Sequence, residues 1–320
     1  MLKYILKRIG LMFLTFFIIM TICFVLIKMI EPEPILNGPK AAIEAARRAA
    51  MGYDKPILVQ YVIYLKNIIT KWDWGTSFQI QYLTSVNDVI FDRLLPTVLV
   101  NLFSLIFSIP LGIALGIFAA LKKNKWQDHL ISTLVMVFIS VPSYVYAFVV
   151  QYFLGFKLGW FPIQMASLSE AGNSWFSWTM FHSMILPILA LSFGTIASLA
   201  RFTRAELTEI LTSEFMLLAR AKGLSRGQAT LRHALKNAMV PILPMIISMF
   251  IGILGGSLII EQIFSIPGIG SLYIDSINKL DYNVFMAVSM FYTIIGLASG
   301  IVIDLSYGFI DPRIRMGGKK

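Results

Sequence analysis

Six apolar runs, each about as long as a bilayer is thick, limit what this chain can fold into more than any other feature. A helix rises about 1.5 Å per residue and the hydrocarbon core is about 30 Å thick, so roughly 20 apolar residues cross it. The runs span Ile9 to Ile30, Thr97 to Leu121, Leu130 to Leu154, Met184 to Leu199, Met239 to Ile260 and Val284 to Ile303. The fourth is the shortest and carries Pro187. The first is too long for the apolar core of a signal peptide and no small-residue cleavage site follows it, so it reads as a retained anchor. At 57% hydrophobic and 14% charged residues, with a mean hydropathy of +0.76, the 320-residue chain lies outside the range of soluble domains. The expected fold is an all-α polytopic membrane protein with six transmembrane helices.

The remaining composition narrows the function. Cys23 is the single cysteine and sits in an apolar run, which excludes an intramolecular disulfide and a paired-cysteine metal site. A net charge of +10 would suit nucleic acid, but the positive residues fall between apolar segments rather than on one soluble face, so no nucleic acid is expected. Their distribution follows the positive-inside rule instead. Lys3, Lys7 and Arg8 precede the first run, Lys122, Lys123 and Lys125 follow the second, seven basic residues lie between Arg201 and Lys236, and Arg313, Arg315, Lys319 and Lys320 close the chain. Both termini are therefore expected in the cytoplasm. The long segment 31–93 balances seven basic against seven acidic residues and takes its side from its neighbours, outside the cell membrane.

Within that segment, AAIEAARRAA at 41–50 predicts a short helix, and KWDWGTSF at 71–78 places Trp72 and Trp74 beside a turn glycine, as in an interfacial aromatic belt. GIALG at 112–116 and GILGG at 252–256 space glycines four apart, which allows close helix approach. Pro110, Pro142, Pro187, Pro241 and Pro244 lie in or beside the runs and are expected to kink them.

A polar island, residues 201–238, interrupts the apolar pattern. Held at the bilayer centre, its seven basic residues would cost about 20 kcal/mol, at about 2.5–3.5 kcal/mol each, so the island must lie in the cytoplasm. Leu207, Ile210, Leu211, Phe215 and Leu218 recur at helical spacing across AELTEILTSEFMLLARAKG, predicting one helix ended by Gly223, with Ser225 starting the next. From the residues alone, two roles stay open: a low-relief docking surface around Ala219, Ala221 and Gly223, or a basic amphipathic helix lying on anionic lipid.

The island also resembles a known family. ARAKGL at 219–224 and RHALKNA at 232–238 are similar to the cytoplasmic loop of ATP-binding-cassette importer permeases of the peptide and nickel branch. Matching stretches run along the chain: GYDKPILVQY at 52–61, WGTSF at 74–78, RLLPTVLVN at 93–101, EQIFSIPGIGSLYIDSI at 261–277 and DLSYGFIDPRIR at 304–315. Two departures stand out. The family motif begins Glu-Ala-Ala, yet Leu217 and Leu218 occupy the glutamate and first-alanine positions, and IEPEPI at 30–35 replaces the usual Pro/Gly-rich turn.

The resemblance implies the type I ABC importer permease fold: an N-terminal transmembrane helix (1–30), an extracytoplasmic loop (31–93), a core of five transmembrane helices (94–311) carrying a coupling loop at about 201–238, and a cytoplasmic tail (312–320). It further implies a second homologous permease, two ATP-binding subunits and an extracytoplasmic substrate-binding protein as partners, with membrane lipid around the bundle and a di- or oligopeptide as cargo. A nickel or metal-complex cargo is the alternative. Contact with the ATPase is assigned to Glu214, Phe215, Ala219, Arg220, Lys222 and Gly223, with Ala219 and Gly223 at the interface; Glu261 is the candidate for the translocation path.

Other chemistry is poorly supplied. No G-x-x-x-x-G-K-[ST] loop occurs, so ATP and Mg are expected on partner subunits and no cofactor in this chain. His129, His182 and His233 are scattered and no H-E-x-x-H is present, so neither a catalytic group nor a metal site is expected. Only Glu261 and Asp304 bring ionisable groups near membrane depth, which argues against an ion-coupled secondary transporter.

Overall fold

The computed structural model describes residues 2–31 and 40–310, so most of IEPEPI and the expected tail 312–320 lie outside it. The described residues are mostly helical: α1 (Leu2–Ile30), α2 (Ala41–Ala50), α3 (Ile57–Lys71), α4 (Val86–Leu121), α5 (Trp126–Ser140), α6 (Ser143–Val150), α7 (Trp178–Leu211), α8 (Glu214–Ala221), α9 (Arg226–Ala229), α10 (Leu235–Gly252), α11 (Leu258–Ile263), α12 (Ile269–Asn278) and α13 (Tyr282–Ile310). The strands are a single antiparallel pair, β1 (Thr76–Ser77) and β2 (Thr84–Ser85), with Thr76 opposite Ser85.

Among the described residues five helices are long and apolar enough to cross a bilayer, six if the bent pair counts as one span. Large apolar side chains face outward along them, among them Phe13 at 63% and Met136 at 69% exposure. Such surface is costly in water and suits lipid.

The six runs correspond to these helices, with three corrections. The third is broken: α5 and the helix from Ser143 to Lys157 meet at 102°. Pro142 forces its predecessor out of the helical region, and Val141 is extended at φ −91°, ψ 129°. The chain continues through Pro187, Pro241 and Pro244 inside helices. The fifth run ends early, because a 3-10 turn at Ile253–Gly255 and Gly256 at φ +61° separate α10 from α11. Glu261 thus lies on α11, beyond the span. The fourth is longer than its apolar core: Ser177 accepts the Met180 N–H at 3.2 Å to start α7, whose helical pattern outlasts the hydrophobic stretch as far as Leu211.

The chain forms two compact units. One comprises Met1–Thr97, Leu254–Leu258 and Pro267–Ile301. Its core joins Phe24 of α1, Trp74, Val86 and Val89 of α4, Leu272 of α12 and Val284 and Val288 of α13. Buried Asp281 fixes the β-turn segment by accepting from Ser77 Oγ at 2.6 Å and from the Gln79 and Ile80 N–H groups at 2.9 and 3.0 Å. Beside α2, Tyr53 lies between two cations, with Lys28 Nζ 3.4 Å and the Arg48 guanidinium 5.1 Å from its ring centre. Burial pushes the Tyr53 phenol well above its ordinary range. Trp74 is buried in this unit, whereas Trp72 stays 58% exposed.

The other unit comprises Val98–Ile253, Ile259–Ile266 and the end of α13 from Val302. Here α7 is central and packs on α5, α6 and α10. The GIALG glycines act as the spacing predicts. A Cβ on Gly112 would stand 2.9 Å from the Ile196 carbonyl, and one on Gly116 would stand 2.5 Å from Thr203 Cβ and 2.7 Å from the Ala200 carbonyl. Helices α4 and α7 are therefore in backbone contact along this edge. GILGG behaves differently: an added Cβ meets nothing within 4 Å at Gly252 and only Tyr292, at 3.8 Å, at Gly255. Gly116→Val is expected to destabilise the protein by about 1–3 kcal/mol through overpacking, read as a lower Tm in detergent. Gly194→Ala, whose methyl group meets nothing within 4 Å in the interior of α7, does not lower Tm and raises it slightly, since alanine favours the helix by about 1 kcal/mol.

Candidate functional site

The polar island folds into a helical hairpin at the end of α7. The predicted single helix over 205–223 is broken at Thr212 and Ser213, whose hydroxyls donate to the Glu209 and Ile210 carbonyls at 2.9 and 2.6 Å. These local bonds compete with the helical ladder, and Ser213 is extended at ψ 154°. Helix α8 then begins at Glu214.

Its end is closed by a Schellman motif. The Gly223 N–H donates to the Arg220 carbonyl at 3.0 Å and the Leu224 N–H to the Ala219 carbonyl at 3.4 Å, with Gly223 left-handed at φ +89°. Ser225 starts α9 through a capping box: its Oγ accepts the Gln228 N–H at 3.3 Å, and Gln228 Oε1 accepts the Ser225 N–H at 3.1 Å. Both boundaries that the sequence placed here, Gly223 and Ser225, are present. A π-helical stretch, Thr230–Ala234, leads into α10.

The hairpin is held to the rest of its unit by small residues. Ala219 and Met216 of α8, Ala229 of α9, Ala234 and Ala238 pack with Ala120 of α4 and Leu207 of α7. Alanine at these positions lets helices approach closely, so α8, packed on α9, joins the cluster at the ends of α4 and α7.

Opposite that face, α8 presents apolar side chains outward: Phe215 at 40%, Leu217 at 63% and Leu218 at 56% exposure. Glu214, Arg220, Lys222 and Gly223 are also exposed. Of the residues the sequence assigned to a partner contact, five are thus outward, and Ala219, at 9% exposure, faces the chain's own core. Leu217 and Leu218, where the motif departs from its usual residues, are part of the outward face. Helical spacing alone did not separate the two faces, because six of the eight residues of EFMLLARA are apolar.

Glu261 is not in this region. On α11 it is 2% exposed, between Ile260 and Phe264 of the packed core. The end of α11 is pinned by Gln151 Nε2, which donates to the Ile263 carbonyl at 3.2 Å, and by the Met165 N–H, which donates to the Phe264 carbonyl at 2.9 Å.

Sequence reasoning did not single out Asp128 and Arg204, 76 positions apart. Arg204 donates through Nε to Asp128 Oδ1 and through Nη2 to Oδ2 at 2.7 Å, a two-point ion pair between α5 and α7. No linear motif signals it; only a basic residue in the polar part of a helix hinted that it needed a partner. Among the described residues no group of three or more His, Cys, Asp or Glu side chains is placed to hold a metal ion.

The spans, the outward-facing hairpin and its small-residue seat define an all-α polytopic membrane permease. Comparison with known proteins specifies which kind. Residues 112–316 match the family described as binding-protein-dependent transport system inner membrane component, and residues 1–101 match the model of that system's N-terminal membrane component. The chain is 39% identical over 318 residues to the dipeptide transport system permease protein of Lactococcus lactis, covering 99% of this chain and 100% of that protein. It is 35% identical over 325 residues to the dipeptide transport system permease protein of Bacillus subtilis, covering all of both chains. The glutathione transport system permease protein of Escherichia coli is 33% identical over 319 residues, covering 98% of this chain and 99% of that protein. The chain belongs to the binding-protein-dependent transport system inner membrane components, transport subunits that are not themselves enzymes.

Ala219→Leu adds three carbons to a seat built of alanines. It is expected to loosen the hairpin by about 1–3 kcal/mol. Faster hydrogen exchange over residues 213–235, with the rest of α7 unchanged, is the measurement that checks it.

Proposed function

We propose that this chain is the membrane-spanning permease subunit of an ATP-driven importer of di- or oligopeptides. It forms half of the translocation path, beside a second homologous permease, and an extracytoplasmic substrate-binding protein delivers the cargo. Two ATP-binding subunits hold the nucleotide and Mg and grip the hairpin from the cytoplasm. The peptide cargo rests on the relatives, whose names specify dipeptide and glutathione transport. In this scheme residues 1–30 anchor the chain, 31–93 lie outside, 94–311 form the core and 312–320 the cytoplasmic tail, with both termini inside as the lysine and arginine distribution requires.

The observation that carries the coupling role is the two-faced α8. Met216 and Ala219 bind it to α4 and α7, while Phe215, Leu217 and Leu218 are exposed among Glu214, Arg220 and Lys222. Apolar side chains on a polar, cytoplasmic segment are where a partner groove closes, and the surrounding charges steer it. Leucine at 217 makes this contact more apolar than the glutamate of the family motif would. A force applied there passes to the membrane helices without a flexible link, since the inward face is packed into the cluster at their ends. Glu261, a buried carboxyl group on α11 beyond the fifth span, is assigned to the path.

Uptake by the reconstituted complex is expected to require hydrolysable ATP; uptake driven by a proton or sodium gradient alone refutes the proposal. At the hairpin, Gly223→Arg is the specific test. Nothing lies within 4 Å of a Cβ at Gly223, so the side chain projects into the partner rather than into this chain, and its left-handed backbone adds about 1–2 kcal/mol of local strain. Expected are normal membrane insertion and an uptake rate reduced at least about tenfold relative to ATP hydrolysis. Unchanged transport places the contact elsewhere.

A further inference from the structure

Neither Asp128 nor Arg204 is among the residues assigned above to the ATPase contact or the translocation path. Arg204 sits on α7 two turns before the helix ends at Leu211 and the chain enters the hairpin. Asp128 sits in the first turn of α5, just after the turn 122–125 that leaves α4. The carboxylate is 1% exposed and takes four donors: Arg204 Nε, Arg204 Nη2 at 2.7 Å, the Asn124 N–H at 2.9 Å and Ser132 Oγ at 3.4 Å. Asn124 is itself left-handed at φ +62°, so the carboxylate also fixes the α4–α5 turn in a conformation the backbone does not favour.

We propose that Asp128 and Arg204 are a positioning pair that locks the start of α5 and the α4–α5 turn to the hairpin end of α7, so that these helices move as one body when the ATPase subunits displace the hairpin. The proposal rests on the ATP-coupled function proposed above.

Three observations support a geometric role rather than a simple gain in stability. The carboxylate is buried but the Arg204 side chain is 32% exposed, so solvent tempers the attraction, while the fork of two parallel bonds fixes both distance and rotation between its partners. The pair also extends the α5–α7 contact to the first turn of α5. Farther along, the two helices meet through Val135, Ala197 and Ala200, with Ile131 and Phe138 against them and Phe138 stacked on Phe193 at 5.0 Å between ring centres. Finally, α4 already touches α7 at Gly112 and Gly116 and meets the hairpin at Ala120, so locking its turn to Arg204 closes a loop of contacts: α4, turn, α5, α7, hairpin, α4. The ion pair is the link that ties the α4–α5 turn itself into that loop.

The test uses the complete reconstituted complex with its binding protein and a dipeptide, comparing wild type with R204Q, D128N and R204K. Peptide taken up per ATP hydrolysed is measured per assembled complex. In R204Q and D128N hydrolysis is expected to stay within about twofold of wild type while uptake per ATP falls about tenfold. R204K keeps the charge but not the fork and is expected to fall between. The proposal is overturned if the variants keep the wild-type ratio, including the case where uptake and hydrolysis fall together, or if no variant assembles, since the pair is then merely structural. Failure of the importer assignment itself shows separately, in wild type, as uptake that needs no ATP.

Discussion

The close approach of α4 to α7 is the constraint on which the rest of the hairpin unit depends. Gly112 and Gly116 leave no side chain between the two backbones, and a methyl group at either position would collide with main-chain carbonyls of α7. In lipid, helices gain little by hiding apolar surface from water, so association relies on close van der Waals contact and interhelical hydrogen bonds. Deeper in the same contact, Ser104 Oγ and Ser192 Oγ lie 3.2 Å apart, a hydrogen bond that suits this setting. Toward the hairpin, Ala120 continues the small-residue edge into the seat beneath α8.

From this edge a mechanical logic follows. A helix that carries load must be joined to its neighbours by contacts that do not compress. Alanine and glycine contacts have this property because no rotamer can yield, whereas leucine or methionine contacts accommodate movement by changing χ angles. The hairpin is tied to α4 and α7 mostly by the first kind. Its outer face, with Phe215, Leu217 and Leu218, is of the second kind and suits a partner that binds and releases in each cycle.

Much of the architecture was legible along the chain because a bilayer imposes a length on apolar segments, and all six runs correspond to helices. The Gly223 end and the Ser225 start were equally legible, since left-handed backbone and a capping hydroxyl depend on local chemistry. The failures have local causes too, which a hydropathy window averages away. Pro142, expected to kink its run, extends Val141 and bends it by 102° into two helices, more than a kink, and Gly256 cuts Glu261 off from the fifth span. Thr212 and Ser213 divide a helix whose apolar spacing continues across the break.

What the sequence determined by itself is the solvent and the class: apolar length and the placement of charge require a bilayer and a polar hairpin, whatever the packing. Which face of α8 points outward, that Ala219 is seated while Leu217 and Leu218 are free, and that Asp128 meets Arg204 were settled only by the tertiary structure. Those facts concern residues brought together from different helices. Hydropathy reports each residue's preference between water and lipid, and carries no information about which neighbour satisfies it.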